Sequence, residues 1–162
     1  MIKINTTLKA NNNILKALKQ SKADGKIGIL KENNPSYQNG MSVASVLAIH
    51  THGSISRNIP KRDPLFAPFF EKKEDMIKIL QGLYNEALKD LSKDGNTKKA
   101  LVKTLNDFCF YYLNDVVKQT ILSNGNGKWE SLSEKTIAKK MGSTQMLVDT
   151  GLLIKSLNFK VK

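Results

Sequence analysis

Cysteine is nearly absent: Cys109 is the only one in 162 residues. A single thiol excludes an internal disulfide framework and any multi-cysteine metal cage. Its setting among Phe108, Phe110, Tyr111 and Tyr112 marks it as a small buried apolar residue, not a nucleophile. Arginine is almost as scarce, since 24 of the 26 basic residues are Lys and only Arg57 and Arg62 are Arg. Sequence-specific readers of nucleic acid lean on the planar guanidinium, so this composition argues against base readout despite a net charge of +12. Lys spread so evenly describes a solvated surface, with weak, salt-sensitive and non-specific DNA contact as its other expected consequence. No apolar run approaches the ~20 residues that span a bilayer, so no membrane segment is expected. The opening Met1-Ile2-Lys3-Ile4-Asn5-Thr6-Thr7 alternates like a short strand and has no continuous stretch of the kind a secretory signal needs. Synthesis in a cytoplasm is the expectation.

Catalytic signatures are equally sparse. His50 and His52 are the only histidines. On a helix, residues two apart point about 160° from each other, and a metal site would need a further ligand such as Asp63 or Asp149. They read as a partly buried His50 and a turn His52. No Gly-x-Ser-x-Gly elbow is present, and Gly125-Asn126-Gly127-Lys128 lacks the spacing of a phosphate loop. Glu71, Glu74 and Asp75 fall in the first turns of an expected helix, where they complement its dipole. No catalytic residue, metal or cofactor is expected. A small hydrolase using His50 or His52 is the remote alternative.

What is present suits a globular chain: 40% of residues are hydrophobic and 25% charged, and a chain near this length buries roughly 70% of its unfolded surface. One α+β domain spanning 1–162 is expected. Apolar spacing predicts a helix over Leu8–Lys19, a strand over Lys26–Leu30 after the Asp24-Gly25 turn, and a mobile loop from Lys31 to Gly40. Ser42 is a candidate N-cap for a helix carrying Val43, Val46, Leu47 and His50, with Gly53 as its stop. Asp63-Pro64 then opens a long helix, which Pro68 either joins or restarts. Its stripe is Met76, Leu80, Leu83, Tyr84, Ala87 and Leu91. A second long helix, with Leu101, Leu105, Phe108, Tyr112 and Val116 inward, ends at the Ser123–Gly127 run. Short helices near Ser133–Met141 and from Asp149 or Thr150 to Leu157, then an edge strand over Asn158–Lys162, complete the chain. The expected architecture is two long antiparallel helices packed on a small, mainly antiparallel sheet, with short terminal helices.

Two segments carry a resemblance. The first is Lys26–Glu71, with Ile27-Gly28-Ile29-Leu30, Ser42-Val43-Ala44-Ser45-Val46-Leu47-Ala48-Ile49-His50, Gly53, Ile59-Pro60-Lys61-Arg62 and Leu65-Phe66-Ala67-Pro68-Phe69. The second is Lys128–Leu157, with Trp129, Leu132, Thr136, Lys140, Leu147, Asp149-Thr150-Gly151, Leu153 and Ser156. In order and spacing they resemble the tail-completion, minor-tail and virion-morphogenesis proteins of long-tailed phages. Those proteins show an Ile-Pro-x-Arg-Pro-Phe-like turn into a long helix, and later Trp-x-x-Leu-x-x-x-Thr and Leu-x-Asp-Thr-Gly-x-Leu-x-x-Ser. Here Thr51-His52 replaces an acidic-aromatic step and Asp63 is inserted between Arg62 and Pro64.

The resemblance implies a non-catalytic phage or prophage part made in the host cytoplasm and placed in the tail or neck of the virion. Its implied partners are tail-tube, tail-terminator or connector subunits, with a homo-oligomeric ring of its own copies as a further expectation. Candidate contact or motif residues are Asn34, Tyr37, His52, Gly53, Ile59, Pro60, Arg62, Phe66, Trp129, Thr136, Asp149, Thr150 and Gly151. The loop Lys31–Gly40 and the crossing segment Ser54–Asp63 are the expected contact regions. Read from the residues alone, Pro60 and Pro64 stiffen the crossing, and Arg62 offers its planar fork to carbonyls or a carboxylate. Phe66 and Phe69 anchor the long helix, and Trp129 is an apolar anchor after the glycine-rich stop. The alternative of another class is a lysine-rich nucleic-acid-binding module.

Overall fold

The structure, a computed structural model, describes residues 22–94, 96–140 and 144–162. The expected opening strand and the Leu8–Lys19 helix lie outside these residues. The described elements run β1 (Gly25–Ile29), α1 (Val43–His52), α2 (Ala67–Glu71), α3 (Lys73–Asp94), α4 (Thr97–Tyr111), a π-helical stretch (Tyr112–Lys118), α5 (Gln119–Leu122), α6 (Glu134–Lys139), α7 (Leu152–Ser156) and β2 (Leu157–Val161). Helix and sheet are thus mixed in an α+β arrangement, and among the described residues the sheet has two strands.

The strands are the first and last described elements, and they pair antiparallel with Gly25 opposite Val161, Ile27 opposite Phe159 and Ile29 opposite Leu157. Period-two alternation puts these apolar pairs on one face, and α4 packs against both strands there. Cys109 sits so close beneath Gly25 that a Cβ on that glycine would lie 2.9 Å from its sulfur. The thiol is buried, and burial pushes its pKa up, as befits a packing residue. On the other face Lys160 pairs with Glu32 at 2.9 Å.

Side chains cap the starts of α1, α4 and α6 as local chemistry requires. Ser42 Oγ accepts from Ser45 N at 3.1 Å and Asn96 Oδ1 from Lys99 N at 3.0 Å, each meeting an orphan donor of the first turn. Asp63 Oδ1 accepts from Leu65 N at 3.0 Å and Phe66 N at 2.9 Å, but regular helix begins only at Ala67. Pro68 lies in the first turn of α2, and the helix restarts at Lys73 as α3. The expected stripe holds over its described side chains: Met76 and Ala87 are buried and Leu80, Leu83 and Tyr84 half-buried. α3 and α4 pack together.

The centre of the core is the π-helical stretch. Tyr112, Leu113, Val116 and Val117 are all buried there and meet Val43 and Leu47 from α1, Met76 from α3, and Leu153 beyond them. Tyr112 also donates its phenol proton to Leu65 O, and Phe69 packs edge to face on its ring at 5.8 Å. Phe69 therefore anchors the short helix α2 that precedes α3, whereas Phe66 is 56% exposed.

The glycine-rich stop has a clear physical reason. Asn124, Gly125, Asn126 and Gly127 all take positive φ, from 52° to 76°, reversing the chain so that Trp129 folds back over Gly125. A Cβ on Gly125 would lie 2.5 Å from the indole, while one on Gly127 would meet nothing within 4 Å. Gly127→Ala should therefore cost only the left-handed backbone penalty, about 1 kcal/mol, and Gly125→Ala clearly more. Urea denaturation of the two variants beside the wild type measures the difference; equal losses would show that the indole does not pack on Gly125.

Candidate functional site: two clefts that share a buried arginine

The segment leaving α1 decides the shape of this region. Gly53 takes φ 76°, and a Cβ there would meet Lys61 N at 3.1 Å and Ile59 O at 3.2 Å. Glycine suits both the left-handed backbone and the close return of the chain. Ser54 N donates to Ile59 O at 2.8 Å and Ile59 N to Ser54 O at 2.9 Å, closing a tight loop. Asn58 completes its turn at φ 50°, a conformation Asn tolerates. Ile55, on this loop, is fully exposed. The chain then returns along α1, where Arg62 N donates to His50 O at 2.7 Å.

Arg62 is only 5% exposed. Its Nη2 donates to Glu130 O at 2.9 Å, tying the crossing segment to the stretch that precedes α6. Arg62 Nε, His50 Nδ1 and Thr51 Oγ1 are buried and have no hydrogen-bond partner among the described residues. Burial, then the positive charges of Arg62 and Lys140, push the His50 pKa down to about 4. Its imidazole is neutral at pH 7. Burial also lowers the Lys140 pKa, with Asp149 opposing and Arg62 reinforcing the shift. The Tyr37 phenol is pushed up by burial and by the charge of Asp149.

Two clefts meet at this arginine. The larger, about 1070 Å³, lies between the loop at 52–61 and the stretch from Glu130 to Thr136; the smaller, about 270 Å³, lies between α1, Tyr37, Lys140 and the segment from Leu147 to Leu153. His50, Arg62, Leu132 and Thr136 line both. Gln145 holds the second segment in place, because its Nε2 donates to Ile121 O at 2.9 Å and Leu122 O at 3.0 Å, meeting carbonyls the helix end leaves open. Leu147, at the smaller cleft, takes φ 56°, an uncommon conformation for a non-glycine residue.

Most of the candidates read from the sequence converge here. His52, Gly53, Ile59 and Pro60 line the larger cleft, Tyr37 and Asp149 the smaller, and Arg62 and Thr136 both. The others lie outside these linings. Asn34 Oδ1 accepts from Ala44 N at 2.9 Å and so supports the start of α1. Trp129 packs over Gly125 and against the core. Thr150 Oγ1 accepts from Leu152 N at 3.3 Å, and Gly151 at φ 75° leads into α7, so neither Asp149 nor Thr150 is its N-cap residue. The loop Lys31–Gly40, expected to be mobile, is fastened: Asn33 Nδ2 donates to Ser156 O at 3.3 Å and Tyr37 N to Met41 O at 2.9 Å. Sequence reading did not assign Lys140 or Val46 to a site; Lys140 falls on the same helical face as Thr136, four residues earlier, which is the signal that was available.

In comparisons with known proteins, no family model, no curated protein and no solved structure matches the chain. Among the described residues no helix is long and apolar enough to cross a membrane.

The depressed His50 pKa has a stability consequence. In the unfolded chain the imidazole takes its proton near pH 6.5, in the folded chain only near 4. Between these values the unfolded state binds more protons, so stability falls as pH drops through that window; below it both states are charged and the slope ends. Urea denaturation from pH 7.5 to 3.5 should show wild type losing stability relative to His50→Gln between about 6.5 and 4. A constant difference across that range would contradict the buried neutral imidazole.

Proposed function

We propose that this chain is a structural, non-catalytic phage or prophage protein that acts in tail completion and head-tail joining during virion assembly. It is made in the host cytoplasm and placed in the tail or neck. One observation carries the reading: the two motif segments, separated by the whole α3–α4 pair, meet on one surface through the bond from Arg62 Nη2 to Glu130 O, and eight of the thirteen motif residues line the clefts on either side. Residues spread so far along a chain and gathered on one face suit a surface that other subunits grip.

The chemistry of the clefts supports fit over turnover. Ser133 Oγ accepts from Thr136 N at 3.3 Å and caps α6, and Ser54 Oγ lies 3.4 Å from Ser56 Oγ, so each hydroxyl has a local partner in place of a base. His50 Nδ1 has no group to orient its ring, which a general base in a triad requires. Ile55, fully exposed on a loop held by two backbone bonds, is the kind of rigid apolar residue that anchors an interface. The two long helices, of which α4 covers the sheet, form the scaffold behind this face. Tail-tube, tail-terminator or connector subunits are the partners proposed, with a ring of its own copies as one arrangement.

Disrupting the gene in its phage or induced prophage should yield separate heads and tails in electron micrographs. Wild-type protein supplied in trans should restore joined particles, whereas Ile55→Asp should fail to do so while unfolding within about 0.5 kcal/mol of wild type, as surface substitutions usually do. Joined particles in the absence of the gene would overturn the proposal.

A further inference from the structure

The smaller cleft holds positive charge in an apolar chamber. Arg62 and Lys140 both line it, and neither lies within 4.0 Å of a carboxylate oxygen among the described residues. Arg62 makes one side-chain bond, to a neutral carbonyl, while its Nε stays buried and unpartnered. Lys140 Nζ likewise donates to the carbonyl of Gln145. A buried guanidinium whose side-chain hydrogen bond goes to a neutral carbonyl, with no carboxylate in direct contact, is a costly arrangement, since buried cations are ordinarily paired. Asp149 is the acid of the chamber wall; it is exposed and makes no ion pair with either cation. Glu130 lines the other cleft, accepts from Arg62 at its main-chain oxygen, and its carboxylate favours the charged guanidinium from beyond ion-pair distance. Val46, Leu132, Leu147 and Leu152 belong to the apolar part of the wall, and Tyr37, Asn39, His50 and Thr136 add further polar groups.

We propose that this chamber is a docking pocket for an acidic segment of a partner protein, taking one Asp or Glu carboxylate toward Arg62 and Lys140 and an adjacent branched apolar side chain against Leu132, Leu147 and Leu152. Three observations select that occupant. The unmet charge is positive and borne in part by a guanidinium, whose fork suits a carboxylate. At about 270 Å³ the space falls just below the roughly 300–1,000 Å³ of small-molecule pockets, so it accepts an anchor of one or two side chains. An acidic partner is a better source of this segment than a second copy, because the chain itself carries a net charge of +12. The neutral His50 beside Arg62 completes the polar wall, and a bound anion would offset the two positive charges that hold its proton off.

The inference rests on reading this face as a docking surface. Its test uses purified protein and a synthetic probe, so its failure is separable from failure of the assembly experiment. The probe is acetyl-Glu-Leu-amide, with acetyl-Gln-Leu-amide as the uncharged control, titrated into 15N-labelled protein at near-physiological salt. The acidic dipeptide should produce saturable amide shifts at Val148 and Leu152 and bind at least about tenfold tighter than the control, as loss of a charged hydrogen bond implies. Saturation should also raise the His50 titration midpoint from near 4. Lys140→Met, at a half-buried position, keeps the test meaningful should Arg62→Gln fail to fold, and it should remove the preference for Glu over Gln. Equal binding of the two dipeptides, no saturable binding, or an unmoved His50 midpoint would overturn the proposal. So would duplex DNA displacing the acidic dipeptide at submicromolar concentration, which would assign these cations to phosphate.

Discussion

The bond from Arg62 to the carbonyl of Glu130 is the contact on which the functional face depends. Without it the crossing segment and the stretch before α6 have no charged tie, although 68 residues separate them. A guanidinium is the side chain for this position, since it stays charged and directs several donors in a fixed plane, so that one can meet the carbonyl while others face a different cleft. The backbone of the same residue is tied to the end of α1 through His50 O. Both clefts therefore take their shape from one residue. His50 is neutral first because it is itself buried, and the positive charge of Arg62 adds to the shift.

Behind this face the frame is closed by contacts between distant parts of the described chain. β1 and β2 pair across more than a hundred residues, and the strands rest on α4 with the Cys109 sulfur tucked under Gly25. Such pairing is entropically expensive to form and stable only because the apolar face is covered. The π-helical stretch then places four buried residues out of seven toward the core. Gln145 and Asn124 lock the end of that long helix to the segment that walls the smaller cleft, since Asn124 Oδ1 accepts both from Gln145 Nε2 at 3.0 Å and from Met146 N at 2.9 Å. The wall of the chamber is in this way continuous with the core.

Local rules made much of this legible. Ser42, Gly53 and the Asn124–Gly127 run are punctuation that depends on neighbouring residues alone, and α1 and the end of the long helix fall where those residues predict. The strand at Ile27 and Ile29 and the closing strand after Leu157 were visible as alternation, but their pairing with each other was not, because register across a whole chain leaves no local mark. The Asp63 carboxylate caps the turn before the helix that Asp63-Pro64 predicts, but regular helix begins at Ala67. The loop Lys31–Gly40 looked mobile from its Asn, Pro and Gly content. What fastens it is a bond from Asn33 to Ser156 O and another from Asn34 to Ala44 N, and the first of these depends on tertiary placement. At the site, Tyr37, His52, Arg62, Thr136 and Asp149 could be named from the pattern, whereas the role of Lys140 and the left-handed Leu147 emerged only from three dimensions.

Two features of the face need a common physical account. Ile55 is held in full exposure by a hydrogen-bonded loop, and leaving such a side chain in water forgoes roughly 1.5–3 kcal/mol of burial. Arg62 is held in burial with a donor unmet, which opposes folding by roughly 1–3 kcal/mol. The first is an apolar group kept out of the core and the second a polar group kept from water, and each is the inverse of what monomer stability favours. Both lie along the segment between Gly53 and Pro64, whose backbone is fixed by Gly53, Asn58 and the Ser54–Ile59 bonds. A partner that covers the isoleucine recovers the first of these terms. Rigid presentation means that little further conformational entropy is lost when it does so.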